Sequence, residues 1–210
     1  MPRITLIGYR GTGKSTVASL LADTLGCGWL DADLVLEEKL GCSIASLVRA
    51  RGEAFFRDAE SVVLAECLGS GCGVLSTGGG AVLRAENRAL LRRLGRPVVW
   101  LTASADVVRR RLAADPTTAD RRPALAVPVD GGPVLQGDPL AEVAPTLEAR
   151  EPLYRECADV CVDTSIAAPA AVAARIMAWL ESEWATRPDY PGRPSTGDGP
   201  PDHQGSGAMP

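Results

Sequence analysis

Histidine is almost missing from this chain of 210 residues: His203 is the only one, set among prolines and glycines near the C-terminus. Ser-His-Asp and Cys-His catalysis are therefore not expected, since no imidazole lies in the part of the chain able to build a core. Lysine is nearly as scarce, with Lys14 and Lys39 standing against 20 arginines. Nine aromatic residues leave little for a base-stacking platform, and a net charge of −4 argues against a broad phosphate-binding footprint. No nucleic-acid partner is expected. Long apolar runs are lacking too: Ile4 to Ile7 and Val98 to Leu101 are far too short to cross a bilayer, so no membrane partner is expected. A charged start followed by an apolar stretch is not found either, which predicts a cytoplasmic location. The six cysteines, Cys27, Cys42, Cys67, Cys72, Cys157 and Cys161, contain no C-x-x-C pair. Zinc would need an all-Cys or carboxylate site of unusual spacing, and reduced, mostly buried thiols are the expectation.

The chain does have alternating strand and helix patterns. Arg3 to Gly8, Trp29 to Asp31, Gly73 to Ser76, Pro97 to Thr102 and Val160 to Val162 read as strands. Apolar residues at helical spacing fill Gly13 to Leu25, Leu34 to Leu40, Ile44 to Arg51, Phe55 to Leu68, Leu83 to Leu94, Asp106 to Ala113, Leu140 to Cys157 and Ala170 to Trp184. This order predicts an α/β fold, a parallel sheet covered by helices on both faces. Asp115 to Pro139 has no sustained period and is broken by prolines, as in a functional lid or a disordered segment. From residue 185 onward, six prolines and five glycines leave almost nothing to bury, so a disordered tail is expected over 185–210 and one folded domain over 1–184.

One motif carries strong chemistry. Gly8-Tyr9-Arg10-Gly11-Thr12-Gly13-Lys14-Ser15 satisfies G-x-x-x-x-G-K-[ST], between a strand and a helix where that motif must sit. Such a loop turns its backbone N–H groups toward an anion, and the helix that follows directs its positive end at the same place. Lys14 would supply a point charge to the β- and γ-phosphates, and the Ser15 hydroxyl a ligand for Mg²⁺. Nucleoside triphosphate and Mg²⁺ follow from the motif; kinase, GTPase and motor do not separate on it alone.

Four further features accompany it. Asp31 and Asp33 end the second strand with one residue between them, so alternation would point both into the cleft at the strand's C-terminal end. A solvated helix N-cap at Asp33 is the alternative. Arg57 and Arg150 sit in apolar surroundings, and two guanidinium forks define a small carboxylate better than one; each alone also suits an ordinary surface ion pair. Gly78-Gly79-Gly80 after a buried strand permits close backbone approach to a ligand, or is a plain turn. Arg121-Arg122-Pro123 offers a cation able to close over a transferring phosphate, or a solvated charge pair.

Taken in order over residues 3 to 183, GYRGTGKST, Asp31-Ala-Asp33, Gly52-Glu53 with Phe56-Arg57, Thr77-Gly-Gly-Gly80, Arg122-Pro123 and Arg150-x-x-Leu153-Tyr154 resemble shikimate kinase. The resemblance implies a five-stranded parallel sheet flanked by helices, a substrate-binding helical region and a lid, here about 114–140. It implies transfer of the γ-phosphoryl group of ATP to the 3-hydroxyl of shikimate, on the route to chorismate and the aromatic amino acids, by a monomer. Gly11, Thr12, Gly13, Lys14, Ser15 and Thr16 would hold phosphates, with Ser15 and Asp31 at the magnesium. Asp33 and Gly79 would contact ring hydroxyls, Asp33 also orienting the attacking one, while Arg57 and Arg150 would hold the carboxylate. Arg122 would be the lid arginine and, with Lys14 and Asp33, a catalytic residue; Arg110 and Pro169 would lie near adenine. Ala124 to Leu140 is longer than a compact member's lid.

Overall fold

The computed structural model describes residues 4–115 and 140–187. Most of the segment read as a lid, Arg122 included, and the tail beyond 187 lie outside the described residues. Five strands, β1 (Ile4–Ile7), β2 (Trp29–Asp31), β3 (Val74–Ser76), β4 (Val98–Thr102) and β5 (Val160–Asp163), form one sheet in the order β2-β3-β1-β4-β5. Every neighbouring pair is parallel. Parallel pairing requires a crossover between consecutive strands, and helices supply it. They are α1 (Lys14–Leu25), α2 (Ala32–Leu40), α3 (Ile44–Gly69), α4 (Ala85–Leu94), α5 (Ala105–Ala114), α6 (Val143–Cys157) and α7 (Pro169–Trp179).

The near-continuous apolar strands follow from burial on both faces. Along β4, Val98 and Trp100 join Leu36, Phe56, Leu64 and Tyr154 on one side, while Val99 and Leu101 join Val17, Leu21, Val172 and Ile176 on the other. The period of two thus assigns alternate residues of one strand to two separate cores. The two helical runs read between Ile44 and Leu68 are joined through Gly52, whose φ of 83° and ψ of 167° break an otherwise continuous α3. Glycine reaches that conformation without the penalty a Cβ would add. At the far end, α7 widens into a single π turn, Leu180–Trp184, which buries Trp184 with the guanidinium groups of Arg96 and Arg187 over its ring. Both arginines also pair with Asp159, at 2.6 and 3.1 Å, so side-chain contacts continue to residue 187.

Caps set the helix starts that matter for the site. Ser43 and Ser104 accept from the backbone N–H three residues on, at 3.2 and 3.4 Å. Asp31 caps α2 by accepting from the Asp33 N–H at 3.0 Å, so α2 begins at Ala32, two residues before the apolar pattern suggests. All five strands are parallel, so the loops after β1, β2, β3 and β5 open on the same edge of the sheet, and they build the clefts described next.

Candidate active site

The loop after β1 packs hard against its neighbour. A Cβ on Gly8, where φ is 141°, would collide with the Leu101 carbonyl at the end of β4. Lys14, buried at the start of α1, folds back so that its ammonium donates to the carbonyls of Gly8 and Tyr9, at 2.8 and 3.0 Å. The cation is thereby held over the cradle that Gly11, Gly13, Ser15 and Thr16 line. Thr12 is fully buried and braces the loop from inside, donating from its hydroxyl to the Tyr9 carbonyl at 2.7 Å.

Asp31 gathers three donors: Ser15 Oγ at 2.5 Å and Ser76 Oγ at 3.2 Å on Oδ2, and the Asp33 N–H on Oδ1. One carboxylate thus joins the tips of β2 and β3 to the phosphate loop. Alternation is not what brings Asp33 to the cleft. Because α2 starts at Ala32, Asp33 lies in its first helical turn, and the cap position belongs to Asp31. Both carboxylates nonetheless line the phosphate cleft, Asp31 from the end of β2 and Asp33 from the first turn of α2. Asp33, 5% exposed, lines the phosphate cleft and also a second cleft beside it; Arg10 is the other residue common to both.

That second cleft holds the two predicted arginines. Arg57 and Arg150 are buried, unlike surface arginines that pair in solvent. Arg57 lies over the Phe56 ring, 4.7 Å from its centroid, and donates to Glu60 at 2.7 Å and to Glu53 at 3.0 Å. Arg150 donates to the Gly79 carbonyl at 3.4 Å, and the Tyr154 hydroxyl reaches the same carbonyl at 2.6 Å. Burial pushes the Tyr154 phenol up, so it stays a neutral donor at any ordinary pH. The three glycines are a close-approach turn. A Cβ on Gly78 would sit 2.7 Å from carboxylate oxygens of both Asp33 and Glu60, and one on Gly80 would run into the Arg57 guanidinium.

Glu60 was not found by sequence reasoning, although its place three residues after Arg57 on a helix was an available signal. It is buried, and burial pushes its carboxyl up while the charge and hydrogen bond of Arg57, with smaller help from Arg150 and Arg84, pull it back down. Arg111 is a second residue that no motif marks. Arg110, its neighbour on α5, is exposed and lines neither cleft, whereas Arg111 and Leu112 turn toward the phosphate loop. One residue is about 100° of helical rotation, and the buried pair Val107 and Val108 fixes which side of α5 faces inward. Arg111 donates to the Gly11 carbonyl at 3.1 Å and to the Thr164 carbonyl at 2.6 Å. Thr164, buried after β5, donates in turn to the Thr12 carbonyl at 3.1 Å. Pro169 opens α7 and is not among the residues lining either cleft. The loop before it is pinned by Asp163, which accepts from the Ser165 N–H and hydroxyl at 2.8 and 2.6 Å; those bonds hold its carboxyl below the usual range.

A G-x-x-x-x-G-K-S loop on the central strand of an all-parallel sheet, with a second cationic cleft sharing one carboxylate, defines a P-loop kinase acting on a small acceptor. Comparison with known proteins is consistent with this. The shikimate kinase family model matches residues 10–181. Curated shikimate kinases from Moorella thermoacetica and Oleidesulfovibrio alaskensis are 39% and 42% identical over 183 and 180 residues, covering 85% and 86% of this chain and 96% and 98% of theirs. A solved shikimate kinase from Acinetobacter baumannii, in complex with shikimate, superposes with a TM-score of 0.76 at 35% identity, over 87% of this chain and 94% of that one. The chain belongs to the shikimate kinase family.

Proposed function

We propose that the two clefts divide the reaction between them, with Asp33 at their junction as the residue that orients the attacking hydroxyl. As a member of its family the chain is an ATP-dependent kinase that converts shikimate to shikimate 3-phosphate, in aromatic amino acid biosynthesis. The acceptor's 3-hydroxyl oxygen bonds to the γ-phosphorus, the bond from that phosphorus to the β–γ bridging oxygen breaks, and ADP leaves. The hydroxyl proton passes to Asp33 or, past it, to solvent. The observation that carries this is that Asp33 lines both clefts, so a group bound beside Arg57 and one bound at Lys14 meet there.

Phosphoryl transfer through a loose transition state needs positioning and neutralisation of charge more than covalent chemistry, so a site without histidine is sufficient. Lys14 and the loop N–H groups hold the phosphates, and Arg57 and Arg150 hold the substrate carboxylate, with Glu53 and Glu60 keeping Arg57 in place. Gly79 contributes backbone to the acceptor cleft. Arg111 takes the place beside the nucleotide that sequence assigned to Arg110, since it alone of the two reaches the loop. Arg122 and the lid act as sequence assigns them, closing over the phosphates. The donors around Asp31 fit Mg²⁺: Ser15 and Asp31 present hard oxygens 2.5 Å apart, and this ion usually keeps several waters beside one or two protein ligands. When bound, Mg²⁺ would offset charge on the β- and γ-phosphates. A monomer acting in the cytoplasm completes the reading. The test is ADP release that requires shikimate and Mg²⁺ together; folded protein with no shikimate-dependent turnover would overturn the assignment.

A further inference from the structure

We propose that Glu142 is a specificity residue of the acceptor cleft, accepting a hydrogen bond from a ring hydroxyl of the substrate other than the one phosphorylated. This rests on the function proposed above. Glu142 lies on the wall of the cleft, and its buried Oε1 has no hydrogen-bond partner among the described residues. A carboxylate oxygen only accepts, so a buried one without a donor is destabilising unless a donor arrives with a ligand.

The side chain is placed by its neighbours. Val143, fully buried, packs into a cluster with Tyr9, Val107 and Val108, and Arg109 donates to the Leu140 carbonyl at 3.0 Å. The turn before α6 is thereby tied to α5 and to the phosphate loop, which fixes where Glu142 emerges. From there the spacing of four places Glu142, Thr146 and Arg150 on one face of the helix, and all three line the cleft. Arg150, at the deeper end, takes the carboxylate of the substrate. Glu142 stands two turns nearer the N-terminus of α6, about 12 Å along the axis. The two residues therefore line different stretches of the same cleft, which leaves Glu142 to a polar group of the substrate other than its carboxylate.

No donor among the described residues serves it. Arg57 is engaged by Glu53 and Glu60, and Arg150 by the Gly79 carbonyl. A hydroxyl on the substrate supplies the missing donor, and a polar site left unpaired by an analogue rejects that analogue strongly.

The test is steady-state kinetics of wild type, Glu142→Gln and Glu142→Ala with shikimate and with analogues each lacking one ring hydroxyl. Glu142→Ala should raise KM for shikimate about tenfold, with kcat and KM for ATP within about twofold, in line with the loss of one hydrogen bond. Glu142→Gln keeps an acceptor oxygen and should recover most of that loss. One deoxy analogue should bind wild type weakly and lose nothing further on Glu142→Ala, since residue and hydroxyl then count as one interaction. The proposal is overturned if every analogue loses the same factor as shikimate, if KM for shikimate is unchanged, or if KM for ATP rises as much. Wild-type turnover of shikimate with an indifferent Glu142→Ala removes this proposal alone; wild type that does not phosphorylate shikimate removes the underlying function and this proposal together.

Discussion

The Arg57 guanidinium occupies the space where a side chain at Gly80 would begin, so a single added methyl at Gly80 would force it to move. Two elements meet there: α3 delivers the arginine, already held by Glu53 and Glu60, and the turn after β3 delivers the glycine. Gly80 does not have a positive φ, so alanine is tolerated by the backbone itself. Gly80→Ala is therefore expected to displace Arg57 and raise KM for shikimate at least tenfold while the protein stays folded. Parallel measurement of KM and thermal unfolding checks this. An unchanged KM would contradict a fixed position of the Arg57 guanidinium against Gly80 as the carboxylate's binding geometry.

Arg57→Ala removes one partner from a buried cluster and leaves Glu60 without its nearest cation. Truncations of that kind cost roughly 2–5 kcal/mol, so KM for shikimate should rise far more than KM for ATP. Equal effects on both substrates in a two-substrate kinetic matrix would contradict the division of the site into two clefts.

Asp31→Asn keeps the size of the side chain but weakens its hold on Ser15 and removes the charge expected beside Mg²⁺. The Mg²⁺ concentration for half-maximal turnover is expected to rise more than tenfold, with KM for shikimate nearly unchanged. Titrating Mg²⁺ at saturating substrates gives the answer directly, and an unshifted midpoint would remove Asp31 from the metal shell.

Burial pushes the Cys67 and Cys157 thiols up to about 11 from an ordinary 9.0. Below pH 9 both folded and unfolded chains keep these protons, so the pair adds no pH dependence. Between about pH 9 and 11 the unfolded chain releases them and the folded chain does not, so stability should fall with rising pH across that window. Replacing both with alanine should flatten that part of a curve of denaturation midpoint against pH. Alkylation at pH 8 should modify neither thiol until denaturant is added.

The sheet and the phosphate loop were legible because β4 and its neighbours are short apolar runs and because the loop's glycines and lysine have fixed spacing. The two carboxylates after β2 were legible as a pair, yet their route to the cleft was not: one backbone hydrogen bond at Asp31 starts α2 early and replaces strand alternation with helical geometry. Arg110 and Arg111 differ only by the phase of α5, which depends on where Val107 and Val108 are buried. Glu60 and Glu142 carry no motif; their chemistry comes from burial beside arginines and in the cleft wall, which only the packed fold supplies. Glycine spacing showed a close approach at residues 78–80, and the fold showed that Asp33, Glu60 and Arg57 are what approach.

The central claim is that the cleft of Arg57 and Arg150 takes shikimate and presents its hydroxyl, at Asp33, to a phosphate held by Lys14. A coupled assay of ADP release with ATP and Mg²⁺, run with shikimate and in parallel with gluconate and quinate, tests it most directly. Turnover that depends on shikimate, with a kcat/KM well above that for either other acid, and that is abolished in a folded Lys14→Ala variant, is the expected result. ADP release independent of shikimate, or a higher kcat/KM for gluconate, would contradict it.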